Sequence, residues 1–168
     1  MAEHRSLKDL PEVIAVFPLP GALLLPRGQM PLNIFEPRYL RMVDDALAGS
    51  RIIGMIQPNS AAEQPLGPPA LYQVGCAGRI TQFAETGDGR YLITLTGLCR
   101  FRAREELTVM TPYRQLGVDF SAYRRDLMPR DGEEAVDREA VLKALSDFSR
   151  VNEVEIDWDN VRQAPNEP

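Results

Sequence analysis

Along this chain, short apolar runs alternate with clusters of breaker residues. From Val16 to Tyr39 the stretch VFPLPGALLLPRGQMPLNIFEPRY stays apolar, yet Pro18, Pro20, Pro26, Pro31 and Pro37 interrupt it. Proline lacks an N–H and fixes φ, so in sheets it is tolerated at edges, strand starts and bulges. The stretch therefore predicts a strand–loop–strand–helix unit. Val13 to Phe17 forms the first strand, and PLPGALLLPRGQ is a loop that reverses the chain. Met30 to Phe35 is the second strand, with Met30, Leu32 and Ile34 on one face by the period of two. A helix begins at Pro37, a residue preorganised for the first helical position, with Glu36 suited to the positive end of the dipole. Tyr39, Met42, Val43, Ala46 and Leu47 make its buried stripe, and Gly49 stands where a C-terminal cap belongs.

The chain then reads as strands up to Phe120. Arg51 to Pro58 is a short buried strand, and Asn59 to Ala70 is a proline-rich loop. YQVGCAGRITQFAETGDGRYLITLTGL is a hairpin turning at Thr86-Gly87-Asp88-Gly89. CRFRAREELTV continues as another strand, and Tyr113 to Phe120 is the last. Six or so short strands with one early helix predict a strongly bent sheet or pseudo-barrel. From Ser121 the chain turns polar, and Glu133 to Val151 then places Val136, Ala140, Val141, Ala144, Leu145, Phe148 and Val151 at helical spacing. A further helix is expected to open at Asp157. The order predicts an α+β chain: a flexible N-terminus over 1–11, a β-rich domain over 12–120, a linker over 121–132 and a small helical appendage over 133–168.

Composition narrows the chemistry. The 168 residues carry a net charge of −5, which argues against a broad phosphate-binding surface and makes nucleic acid an unfavoured partner. No apolar run reaches the roughly eighteen residues of a membrane span, and the N-terminus is too polar for a secretory signal, so a cytoplasmic home is the default. Cys76 and Cys99 stand singly in strand-like segments, and His4 is the only histidine. Disulfide, zinc and Cys–His nucleophile chemistry all want a different spacing, so the cysteines are expected to be reduced core residues. Asp157 and Asp159 flank Trp158 without an oxygen-ligand loop, and helix capping explains them better than a metal. No cofactor is expected.

IAVFPLPGALLLPRGQMPLNIFEPRYLRMVDDAL resembles the opening of the LON substrate-binding domain, the N-terminal domain of ATP-dependent Lon proteases. Its "FPL" strand, "P-G" loop, "IFEPRY" segment and helix ending in "AL" all match the family pattern. VGCAGRI, DGRYLITLTGLCRFR and the following YR are similar to the later strands, so the resemblance covers about residues 12 to 120. The helix beyond is similar to the helical part that the family appends, and the chain is expected to end early relative to it. What the resemblance implies is a PUA-like pseudo-barrel that recognises polypeptide without peptidase activity of its own. The chain has no G-x-x-x-x-G-K-[ST] phosphate loop, and its only lysines are Lys8 and Lys143, so neither the ATP-driven engine nor the Ser–Lys peptidase of Lon is expected. It resembles the standalone LON-domain proteins of bacteria.

A module that holds unfolded segments needs exposed apolar surface. Leu23, Leu24 and Leu25 in the proline-framed loop, Leu66 in the loop from Pro65 to Leu71, and Arg38 beside Pro37 are the candidate peptide-binding residues. Each has a structural alternative. The leucines fold back to cap the barrel, Leu66 belongs to a variable surface loop, and Glu36 and Arg38 pair locally. Phe35 and Tyr39 are expected in the core. Arg100, Arg102 and Arg104 share one strand face, expected to be solvated. Three function classes follow: a polypeptide-binding module for unfolded or partner protein segments, an RNA-binding PUA-like module as the alternative, and a small hydrolase. The acidic charge weighs against the second, and the lack of any nucleophile–base pair weighs against the third.

Overall fold

Six strands form one sheet: β1 (Val13–Pro18), β2 (Gln29–Ile34), β3 (Ile52–Ile56), β4 (Val74–Glu85), β5 (Tyr91–Glu106) and β6 (Gln115–Asp119). The structure, a computed structural model, describes residues 6–59, 68–129, 131–132 and 135–163. The strand order is β2-β5-β4-β3-β1-β6, with a further pairing of β5 to β6. That extra pairing closes five strands on themselves and leaves β2 as an annex. The pseudo-barrel is the expected one, reached through one long strand. β5 pairs β4 along one edge, while its other edge takes β2 at Tyr91 to Thr96 and β6 at Arg102 to Glu106. Two separate strands were expected over this range. Gly97 does not end the strand; it makes room for a loop described below.

β1 and β3 are parallel, so a crossover must join them, and α1 (Pro37–Ala48) lies within it. Tyr39, Met42, Val43 and Ala46 are its buried face, with Leu47 partly buried, as the periodicity predicts. Pro31 has no N–H to give, and β2 is an edge strand paired only to β5. That is where a strand proline belongs. Phe35 departs from expectation. Ile34 points inward at the end of β2, so Phe35 is turned out and is 61% exposed rather than core.

The apolar interior falls into two clusters on either side of the sheet. One gathers α1 and the inward residues of β2 with Phe17, Ile53, Met55, Ile80, Ile93 and Leu95. The other surrounds Phe101, which is fully buried and touches Phe120 edge to face. Room for this ring comes from two glycines. A Cβ at Gly75 would lie 2.5 Å from Phe101 Cζ, and one at Gly54 would lie 3.1 Å from it.

Two expected boundaries shift. Leu10, in the stretch expected to be a flexible terminus, is buried in the Phe101 cluster, preceded by a 3-10 turn at Leu7–Asp9 capped by Ser6. The expected linker begins as a second 3-10 segment, Ser121–Leu127, whose Tyr123 and Leu127 pack on the same cluster. Asp126 explains the docking. Its carboxylate accepts from the Arg100 backbone N–H at 2.9 Å and from the guanidinium at 2.7 and 2.9 Å. It thereby satisfies a donor in β5 between the stretches that pair with β2 and β6.

The chain divides into two units, Met1–Met128 and Pro129–Pro168. In the second, α2 (Arg138–Asn152) is capped by Asp137, whose carboxylate accepts from Ala140 N–H. α3 (Trp158–Gln163) starts after Asp157, which accepts from Asn160 N–H, so capping accounts for Asp157. The Arg138 guanidinium donates to the Val161 and Arg162 carbonyls at the end of α3.

The carboxylates of the barrel set its acid response. Asp119 is held down at about 2 by the Ser121 backbone and hydroxyl and by Arg104. Burial pushes Asp126 upward, but the hydrogen bonds from Arg100 outweigh it and leave its pKa lowered. A carboxylate with a folded pKa below its unfolded value adds stability above the unfolded value and loses it as pH falls through the folded one. The melting temperature should therefore hold above about pH 5 and fall steadily from pH 4 towards pH 2. Asp119→Asn should flatten that slope; an unchanged slope would count against the pairing.

Candidate apolar groove on the barrel

Between β1 and β2, Ala22 to Leu25 are neither helix nor strand, and burial alternates from Leu23 to Leu25. Leu24 turns inward and is 4% exposed, while Leu23 and Leu25 turn outward at 70% and 57%. Presentation of all three leucines is thus corrected: Leu24 is core. Its Cδ2 atom would lie 2.6 Å from a Cβ at Gly78, and a Cβ at Gly97 would collide with the Leu25 carbonyl. Gly78 and Gly97 are partners in the β4–β5 ladder, so together they form a flat seat for the loop. Hydrogen bonds fasten it. Arg27 N–H donates to the Gly97 carbonyl at 2.8 Å, Gly97 N–H to the Gly28 carbonyl at 2.9 Å, and the Gln57 amide to the Ala22 carbonyl at 2.9 Å.

Leu23 and Leu25 stand over a groove of about 90 Å³ whose other walls include Met55 to Gln57 on the β3 side, Val74 to Cys76 of β4 and Arg100. Val74 and Tyr72 are exposed, and Val74 and Gln57 also line an adjoining shallow depression with Leu71. The two outward leucines thus share a groove with Val74, and the depression beyond it is lined by Leu71 and Tyr72 together with Gln57, Asn59 and Gln73. Sequence reasoning missed Val74 and Tyr72, though the glycines inside two otherwise regular strands were a signal of close backbone approach.

Arg38 is not part of this surface. Its guanidinium pairs with Glu36 at 2.7 Å and lies 4.6 Å from the Tyr39 ring centroid. An exposed pair of this kind contributes about 0–1 kcal/mol. Arg38 instead borders a second cleft, of about 200 Å³. Its walls are Pro18, Pro20, Pro58, Pro68, Pro69 and Pro112, with Tyr39, Tyr113 and Arg114. Leu66 lies outside the described residues.

The cysteines and the β5 arginines singled out in the sequence are held within the fold. Burial pushes the Cys76 and Cys99 thiols up to about 12, so both stay protonated and inert at neutral pH. Arg100 pairs with Asp126 and Arg104 with Asp119, while Arg102 donates to the Gln73 side chain. Among the described residues no three His, Cys, Asp or Glu side chains converge as a metal site. No described helix is long and apolar enough to cross a membrane.

The family model for the ATP-dependent protease La (LON) substrate-binding domain matches residues 13–159. The chain belongs to the LON substrate-binding domain family. Lon protease 2 of Myxococcus xanthus is 30% identical over 112 residues, covering 67% of this chain and 13% of that protein. Lon protease of Dictyoglomus thermophilum is 31% identical over 117 residues, covering 70% of this chain and 14% of that protein. This LON domain therefore spans only a small part of the curated relatives' length. A Lon N-terminal domain protein from Xanthomonas campestris superposes with a TM-score of 0.52 at 27% identity, covering 64% of this chain and 59% of that one. The N-terminal domain of Mycobacterium avium complex Lon protease gives 0.54 at 14% identity, covering 90% and 75%, a likeness of fold alone.

Proposed function

We propose that this LON domain is a non-catalytic recognition module that holds unfolded or partner polypeptide on the apolar surface around Leu23 and Leu25. The observation that carries this reading is the pairing of exposure with rigidity. Both leucines face water on a loop fastened to Gly97 and Gln57 and anchored by its own buried Leu24. A preordered apolar surface loses little conformational entropy on binding, which favours a partner of low sequence selectivity. Membership of a family described as substrate-binding supports the same reading.

Binding to casein, followed by anisotropy across a salt series, tests it. Apolar association should hold nearly constant from 50 to 500 mM salt. Binding that collapses with salt, or a preference for RNA over casein, would count against it. The purified protein should neither hydrolyse ATP nor cleave casein. Turnover that persists through rigorous purification would contradict the non-catalytic assignment.

A further inference from the structure

One cation stands among the walls of the leucine groove. Arg100 is the one charged residue among the described ones that line it. An unmatched guanidinium beside a bound segment would favour acidic chains and repel basic ones. Arg100 is not left unmatched. Asp126, from the 3-10 segment Ser121–Leu127, accepts from its Nε at 2.9 Å and from its Nη2 at 2.7 Å. The guanidinium also lies 4.7 Å from the Tyr123 ring centroid. The Asp126 side chain is 8% exposed against 47% for Arg100, so the anion is the buried partner and the cation the outer one.

Holding β5 does not require this charge. A neutral acceptor at position 126 would satisfy the Arg100 backbone N–H as the carboxylate does at 2.9 Å. A full negative charge on a nearly buried side chain is costly unless a cation compensates it. Two of the five guanidinium N–H groups complete that pairing. The others donate to no described residue, which leaves them for solvent or for carbonyl groups of a bound chain. The neighbouring arginines of β5 are matched elsewhere: Arg104 pairs with Asp119, Arg102 donates to Gln73, and neither lines the groove. The charge at position 126 is therefore one that the strand can do without and the groove cannot.

We propose that Asp126 sets the charge selectivity of the leucine groove, neutralising Arg100 so that apolar segments are held whatever charge flanks them. The inference rests on the polypeptide-binding reading and adds a residue that reading does not use. Asp126 is not among the groove's walls, so it acts through Arg100 as a positioning residue. Rejection by unmatched charge is a common source of specificity, and removing it suits a surface of low sequence selectivity.

The probes are acetyl-Gly-Leu-Leu-Asp-Gly-amide and its asparagine counterpart, titrated into the whole protein and followed by NMR of the Leu23 and Leu25 methyl groups. The wild type should bind the two within about twofold of each other. Asp126→Asn keeps an acceptor for the Arg100 N–H and unmasks the cation. It should shift the ratio towards the aspartate peptide by roughly two- to fivefold, the scale of an exposed ion pair. That shift should shrink between about 50 and 500 mM salt. Asp88→Asn makes the same change in net charge beside Arg90 and should leave the wild-type ratio in place. Arg100→Gln should tip the ratio the other way, and adding Asp126→Asn to it should restore the wild-type value. A wild type that already favours aspartate, or a preference that survives in the double variant, overturns the proposal. Methyl groups that respond to neither peptide overturn the polypeptide reading and this inference with it. A response whose ratio Asp126→Asn leaves unchanged overturns this inference alone.

Discussion

Gly97→Ala is expected to destabilise the barrel by about 2–4 kcal/mol, at or above the upper part of the range for overpacked sites. The new methyl would meet the Leu25 carbonyl oxygen, its carbon at 2.8 Å and Pro26 Cα at 3.2 Å. All three are backbone or ring atoms of a proline-framed loop, so no rotamer change relieves the clash. The loop must lift, taking Leu24 out of its seat over Gly78 and loosening the two hydrogen bonds to Gly97. Gly87→Ala is the matched control, because nothing lies within 4 Å of a Cβ there, and a change within about 0.5 kcal/mol is expected. Urea unfolding of both variants decides it. A Gly97→Ala protein as stable as wild type would mean that the loop is not held as described.

Phe101→Ala should cost about 3–5 kcal/mol, a large share of the 5–15 kcal/mol that holds a typical domain. The ring is fully buried, and two of its walls, Gly54 and Gly75, are backbone in paired strands. Such walls cannot collapse into the cavity, so the loss should lie at the high end. Chemical denaturation is the measurement, and a cost below about 1.5 kcal/mol would show that the cluster relaxes around the gap.

Much of this was legible in local pattern. The five prolines punctuate strand, loop, strand and helix as their missing N–H requires, and the stripe from Tyr39 to Ala46 names the buried face of α1. Leu24 and Phe35 were misread for one reason. At both places burial alternates from one residue to the next, and the period of two applied to Leu23–Leu25 and Ile34–Phe35 would have placed them. Other features are beyond any local pattern. The Asp126 carboxylate reaches Arg100 across 26 residues, and Leu10 joins the Phe101 cluster only once the barrel has closed. The cleft at Tyr39 draws its prolines from stretches far apart in the chain.

The central claim is that Leu23 and Leu25 are surface held ready for polypeptide, and the double change Leu23→Ser with Leu25→Ser tests it most directly. Full burial of one leucine contributes about 1.5–3 kcal/mol, so losing two partly covered ones should weaken casein binding tenfold or more. Melting temperature and casein affinity are measured on the same preparation. The account predicts an unchanged melting temperature with at least a tenfold loss of affinity. Unchanged affinity, or a melting temperature lowered by many degrees, would contradict it.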